Sequence, residues 1–529
     1  PELVSYDGHV DTILYPRKYD ANSQTVFDEN LRMAMGLPVD GLDYIEIDSY
    51  DISNSTIEYY DKDGVRHTST LDPNALNVGL FSPDELWNNG SSYINYSGFS
   101  YTGERLTEQP AFSDFFTATD ENGMYTRPIG AFSPIYMAGY IQDQFAFREL
   151  IINVGVRVDR YDANQQVLVD PIVIYPRYTV SEKEALPFSF NTPENIEGDY
   201  VIYVDQVDNP TEVVGYRDGY IWYNAEGIEI QDPNALDVGY GISPALVDPE
   251  QDRVSLESFK DYDPQINVMP RISFSFPISD EALFFAHYDV LTQRPTSNSY
   301  TSPATWYYFN FTGNTINNPN LEPTKTIDYE LGFTQRLTAS SSLTLTAFYR
   351  EMRNMLQIYR FNGAYPKDYT SYNNIDFGTV NGITAEYDLR RTKNLRLRAA
   401  YTLQFADATG SSTTTAASLI AAGLPNLRTT YPMPWDRRHQ FNIVLDYRRA
   451  SGKNYNGPRT ERKNGKPPID WLSNTGFNFT LIGGSGTPYT ASRNVTSPIS
   501  GGTNLLKGTY SGSRLPWQFR FDIRIDKDI

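Results

Sequence analysis

The sequence predicts an all-β chain, most of it the wall of an antiparallel transmembrane β-barrel with large extracellular loops. Three observations carry this expectation. Apolar and polar residues alternate with a period of two in about eleven segments of ten or so residues, the length a tilted membrane strand needs. The apolar half of each segment is almost free of charge, whereas the other half is crowded with it. Connections between the segments are short at one end and nearly all long at the other, as in outer-membrane barrels.

Residues 1–135 are polar, acidic and rich in turn formers such as Asp61-Lys62-Asp63-Gly64 and Leu71-Asp72-Pro73-Asn74, and are expected to form a large extracellular loop region. Wall strands are expected over 136–529. Residues 136–147 are extended with imperfect alternation, and the turn Arg148-Glu149 follows. Ile152, Val154, Val156 and Val158 then alternate with Asn153, Gly155, Arg157 and Asp159. The excursion at 161–265 is long enough to be functional or disordered. Within it, Asp232-Pro233-Asn234-Ala235-Leu236 echoes Asp72-Pro73-Asn74-Ala75-Leu76, which suggests two similar turn-and-helix pieces with aspartate caps.

Strands then recur in pairs. Ile272, Phe274 and Phe276 lead through 277–281 to 283–291; Tyr329, Leu331 and Phe333 lead through 338–341 to Leu343, Leu345, Ala347 and Tyr349. The clearest ribbon is 382–405. Ile383, Ala385, Tyr387 and Leu389 share a face with Leu395, Leu397, Ala399, Tyr401 and Leu403, opposite Glu386, Asp388, Arg390, Arg396 and Arg398. Alone, it fits a soluble sheet with one wet face better than a barrel wall. Phe441–Tyr447, Phe477–Leu481 and Phe519–Ile525 repeat its pattern, and uncharged faces over so many strands favour lipid on one side. The main long loops fall at 161–265, 292–325, 407–436 and 485–514. On the short-turn side only 450–470 is long, and the basic stretch 448–466 is either a solvated turn or a dock for a partner.

Composition narrows the partners. With 44 basic and 65 acidic residues the formal charge is −21, which argues against nucleic acid, since phosphate binding needs a basic footprint. No run of about 18 apolar residues marks a transmembrane helix. Forty tyrosines and 28 phenylalanines suit short strands and interfacial girdles. The absence of cysteine rules out disulfides and thiolate metal sites. The chain opens at Pro1 without an export signal, and both ends are expected to be cut from a longer chain. No catalytic constellation is visible, because the four histidines stand apart and Gly484-Ser485-Gly486 lacks the context of a nucleophile elbow. No enzyme activity and no cofactor are expected.

Several stretches resemble the C-terminal barrel portion of TonB-dependent outer-membrane receptors, of the large type with an N-terminal carboxypeptidase-regulatory-like domain. They include Tyr140-Ile141-Gln142-Asp143-Gln144-Phe145, Asn318-Pro319-Asn320-Leu321-Glu322-Pro323, Gly382-Ile383-Thr384-Ala385-Glu386 and Gly484-Ser485-Gly486-Thr487-Pro488-Tyr489. The resemblance implies about 11 strands of a 22-stranded, plugged barrel in the outer membrane of a Gram-negative bacterium. It implies active import of a scarce solute. The partners implied are outer-membrane lipid and lipopolysaccharide, the inner-membrane TonB energy-coupling complex through a plug and TonB box outside these residues, and a surface lipoprotein or other outer-membrane partner. A scaffold or channel in a secretion or surface-assembly complex is the alternative, and a secreted β-rich binding protein is a third.

Under this resemblance Arg157, Asp159, Glu330, Arg336, Glu386, Asp388, Arg396 and Arg398 face the lumen, where they either hold the plug or hydrate a channel. Trp306, Tyr307, Tyr308, Tyr93 and Tyr96 could stack on a sugar or planar ligand, although loop packing explains them as well or better. Asp61 and Asp63 are the weak candidates for a hard cation such as Ca²⁺, with a plain turn as the simpler reading.

Overall fold

Alternation becomes eleven antiparallel strands that pair in unbroken chain order. The computed structural model describes residues 2–6, 9–13, 25–92, 94–313, 315–426, 428–463, 466–493 and 507–528. The wall strands are β1 (Ile135–Phe147), β2 (Leu150–Asp162), β3 (Gln265–Ser279), β4 (Ala282–Gln293), β5 (Thr324–Thr338) and β6 (Ser341–Phe361). They continue as β7 (Tyr369–Thr392), β8 (Leu395–Ala408), β9 (His439–Arg448), β10 (Thr475–Gly484) and β11 (Gln518–Lys527). Among the described residues, β1 and β11 each pair on one side only.

Register keeps each side-chain set on its own face. Ile272 lies opposite Val154 and Tyr288, Leu345 opposite Phe333 and Ala385, and Ile443 opposite Ala399 and Leu481. The result is one apolar band from β1 to β11, broken by the carboxylate of Asp143 on β1, opposite Val154. Three tyrosine rings, Tyr288, Tyr329 and Tyr349, line up across β4, β5 and β6 with centroids 5.2 and 6.1 Å apart. One step further along the same face of β6 the charges begin, with Glu351 and Arg353 paired at 2.7 Å. An aromatic row between apolar and charged side chains is how a strand marks a membrane–water boundary. Gly332 and Gly382 admit close neighbours: a Cβ would stand 2.4 Å from the Phe285 ring at the first and 2.4 Å from the Leu403 carbonyl at the second.

The four turns between β1 and β2, β3 and β4, β5 and β6, and β7 and β8 are each two residues long, and Arg148 and Lys393 enter them with positive φ (56° and 57°). At the other end the connections fold into a head. The excursion after β2 carries a five-stranded sheet, Val213–Asp218 at its centre next to Val201–Val204. Its core joins Leu168, Val173, Tyr203, Trp222 and Leu236 to Trp306 and Phe309 from a later connection and to Phe361 and Tyr369 at the outer ends of β6 and β7. Nearer the start, helix α1 (Thr25–Met35) buries Phe27, Leu31 and Met35, spaced one turn apart, against Ile45 and Ile57 of a three-stranded sheet. The sequence echo folds alike in both copies. Asp72 and Asp232 each accept the N–H of the residue two further on, Asn74 at 2.9 Å and Asn234 at 3.0 Å, opening short 3₁₀ turns.

One element is much longer than alternation indicated. β6 and β7 run 21 and 24 residues, about 70–80 Å at roughly 3.3 Å per residue. The hairpin therefore projects far beyond the apolar band and carries Phe361 and Tyr369 into the head core. Register shifts on either side of Met355, beside Asn354 at φ 57°, change the side-chain parity and hide the continuation.

Candidate functional site

Two regions gather functional chemistry: the charged face of the wall and a polar cavity in the head. On the wall, all eight residues Arg157, Asp159, Glu330, Arg336, Glu386, Asp388, Arg396 and Arg398 fall on the face opposite the apolar band. Arg157 and Asp159 pair at 2.7 Å, and the Tyr136 hydroxyl donates to Asp159 at 2.6 Å while accepting from Arg157 at 3.0 Å. Asp388 and Arg398, directly opposite across β7 and β8, pair at 3.0 Å. Glu330 pairs at 2.8 Å with Arg350, which also holds Asp328 at 2.9 Å. Arg336 reaches only the Thr338 carbonyl, at 3.4 Å, and no ion pair reaches Glu386 or Arg396 among the described residues.

Sequence reasoning missed the partners. Arg350, the pair Arg271–Asp289 at 2.7 Å, and the pairs Arg391–Asp446 and Arg448–Asp526 all belong to the same polar side of the sheet. Their signal was parity within each strand, but their pairing depends on inter-strand register. In the basic stretch 448–466, Arg448 pairs with Asp526, Arg449 donates to the Asn456 carbonyl at 2.7 Å, and Arg459 pairs with Asp470 at 2.7 Å.

In the head, helix α2 (Pro83–Trp87) opens with a capping box in which Ser82 and Glu85 bond each other's backbone N–H groups. Glu85 also accepts the N–H of Val26 at 2.8 Å, so one carboxylate caps α2 and holds the start of α1. Its neighbour Asp84 accepts from Arg127 at 3.1 Å and from the Tyr308 hydroxyl. Burial, and then the Asp84 carboxylate, push the Tyr308 phenol far above its ordinary range, so it remains a donor. Burial works against the Arg127 charge, but Asp84 outweighs it and keeps the guanidinium protonated. Arg127 stacks on Tyr307 and Tyr125, 4.5 and 4.4 Å from the ring centroids. A cavity of about 350 Å³ opens between Asp84, Tyr125, Tyr307 and Tyr308.

The predicted aromatic set divides. Tyr307 and Tyr308 line this cavity. Trp306 and Tyr96 do not offer their faces to a ligand: they are 6% and 4% exposed, Trp306 packed against Phe309 and Tyr369, and Tyr96 accepting the Trp87 indole N–H at 2.7 Å. Part of this cover comes from segments distant in sequence, Tyr369 over Trp306 and the Arg127 carbonyl on the Tyr96 hydroxyl, which no local pattern reveals. Tyr93 lies outside the described residues. Asp61 is committed to its turn, accepting the N–H groups of Asp63 and Val65 at 3.0 and 2.9 Å and bonding His67 at 2.8 Å. The His67 hydrogen bond holds its carboxyl below the usual aspartate range. No group of three potential metal ligands gathers at Asp61 and Asp63 or elsewhere among the described residues.

A search of curated protein sequences finds no match. Among solved structures, the chain is similar to the copper transporter OprC (10% identity, TM-score 0.32, covering 74% of this chain and 39% of that one). It is similar also to the ferric-catecholate import receptor Fiu from E. coli K12 (11%, 0.36, 74% and 38%) and the FrpB iron transporter from Neisseria meningitidis (8%, 0.35, 75% and 39%). The chain thus spans about two fifths of the length of these structures. The family described as TonB dependent receptor-like, beta-barrel matches residues 5–528, nearly end to end. With that match over an eleven-stranded wall that is apolar on one face and charged on the other, the chain belongs to the TonB-dependent receptor-like β-barrel family.

Proposed function

We propose that the chain forms wall and outer head of an outer-membrane transporter that imports a scarce solute through a plugged barrel, with energy relayed from the inner-membrane TonB complex. The observation that carries this reading is the division of the wall into an apolar band and a ladder of ion pairs, on a family-matched sheet. Lipid and lipopolysaccharide meet the band. Arg157, Asp159, Glu330, Arg336, Glu386, Asp388, Arg396 and Arg398 face the lumen, and those without an intramolecular ion pair, such as Glu386 and Arg396, are the ones free to hold a plug. Residues 1–135 and the long connections lie on the cell surface, where a lipoprotein or other outer-membrane protein can dock. The chain performs binding and passage rather than catalysis.

The test compares spent media from the parent strain, a strain lacking this gene and a strain lacking the TonB coupling protein. At least one solute should remain unconsumed in both mutants and disappear in the parent. Equal consumption by all three contradicts uptake, and loss of surface proteins without any retained solute favours a scaffold instead.

A further inference from the structure

The cavity beside Asp84 holds two carboxylates and one arginine, and their states differ. Asp84 is engaged by Arg127 and Tyr308, and Glu85 by the backbone N–H groups of Ser82, Val26 and Phe27. The charge of Asp84 is thus matched by Arg127, and that of Glu85 is spread over backbone donors. Arg253 is the opposite case. Its guanidinium is stacked among Tyr307, Tyr308 and Phe311, 4.8, 5.3 and 5.1 Å from their centroids. Its Nη1 is buried with no hydrogen-bond partner, and no ion pair reaches it among the described residues. A buried N–H of a charged group costs free energy until an acceptor meets it. A flat cation held by rings presents its edge as a two-pronged donor, the geometry that suits a carboxylate or phosphate.

The cavity rim adds a second observation. Asn88, Asn89 and Gly90 follow one another with positive φ of 41°, 50° and 86°. Asn88 ends α2 as its left-handed cap and Asn89 repeats the conformation, so the chain turns sharply at the cavity mouth. Both asparagine side chains border the cavity. Its volume of about 350 Å³ suits a single-ring ligand.

We propose that this cavity is a binding site for an oxyanion-bearing ligand, whose carboxylate or phosphate is received by Arg253 and whose body lies between Tyr307, Tyr308 and the Asn88-Asn89 rim. In a chain of net charge −21, a lone unpaired arginine in a lined cavity selects an anion against the general field. Binding is an equilibrium property of the head, so it succeeds or fails separately from energised uptake.

The test uses the full chain in detergent, titrated with D-glucuronate, inorganic phosphate and neutral D-glucose. Calorimetry gives the affinities. Tryptophan fluorescence gives the location, because Trp87 stacks on Tyr308 at 5.9 Å. Saturable binding of glucuronate or phosphate, without glucose binding, is expected; glucuronate alone indicates a carboxylated sugar, and phosphate alone a phosphorylated ligand. Arg253→Gln should weaken the anion at least about tenfold, and Arg253→Lys by less, since it keeps charge but loses the fork. No saturable anion binding, equal binding of glucose, or an Arg253→Gln protein that unfolds normally and binds like wild type would each overturn the proposal. If Arg253→Gln does not fold, the wild-type contrast between anions and glucose, with the Arg253→Lys affinity, decides the matter.

Discussion

Replacing Asp170 with alanine should cost the head about 3–5 kcal/mol, because it strips the carboxylate from a buried ion cluster. Asp170 is held by Arg217 and by Arg177 at 3.2 Å, and it accepts the Ile172 N–H at 2.9 Å. Arg217 in turn donates to the Tyr203 hydroxyl at 2.8 Å and the Gly219 carbonyl at 2.6 Å. Without Asp170, Arg217 and Arg177 share one site with no counter-charge, and Arg217 is almost wholly buried. Asp170→Asn keeps an acceptor and should cost less. Hydrogen exchange checks both variants: protection across 201–224 should collapse in Asp170→Ala while the wall strands keep theirs. Unchanged exchange in this sheet would show that the cluster does not hold the head together.

The second large effect lies on the opposite chemistry. Ile443 sits midway along β9 on the apolar face, between Ala399 and Leu481. Ile443→Arg should reduce the folded population by about 2–4 kcal/mol, roughly 30-fold or more, because a guanidinium near the centre of a bilayer must be dragged to the interface or hydrated there. Its neighbour Asn442 faces the other way, between Ala400 and Ile482. Asn442→Arg should assemble nearly as well as wild type. The fraction of heat-modifiable folded protein in outer membranes measures both, and equal losses would argue that the two faces meet the same solvent.

The wall was legible because period two is a property of each strand by itself. Ile443 and Asn442 announce their faces without knowledge of any neighbour. Arg350 did not announce that it bridges Asp328 and Glu330, since that depends on how β5 registers against β6. The projecting hairpin was hidden for a related reason: shifts around Met355 invert the parity just where the strand leaves the band. In the head the strands are too short for alternation to emerge; Ile221–Asn224 and Glu229–Ile230 have four and two residues. Trp306 and Tyr96 follow the loop-packing alternative weighed for them, and the sequence could not say which aromatics would, because partners such as Tyr369 and the Arg127 carbonyl lie far along the chain. Arg253 carried no sequence signal at all, because its lack of a partner is a fact of three-dimensional packing.

The central claim is that one face of this sheet meets lipid and the other meets water or protein. Ala399 and Ala400 test it most directly, being identical, adjacent and on opposite faces of β8. The chain has no cysteine, so Ala399→Cys and Ala400→Cys each supply a single attachment point for a nitroxide. In outer-membrane vesicles, oxygen dissolved in lipid should relax the label at 399, and a water-soluble nickel complex should relax the label at 400. Equal nickel accessibility at both positions would contradict a barrel wall and return the chain to a soluble sheet.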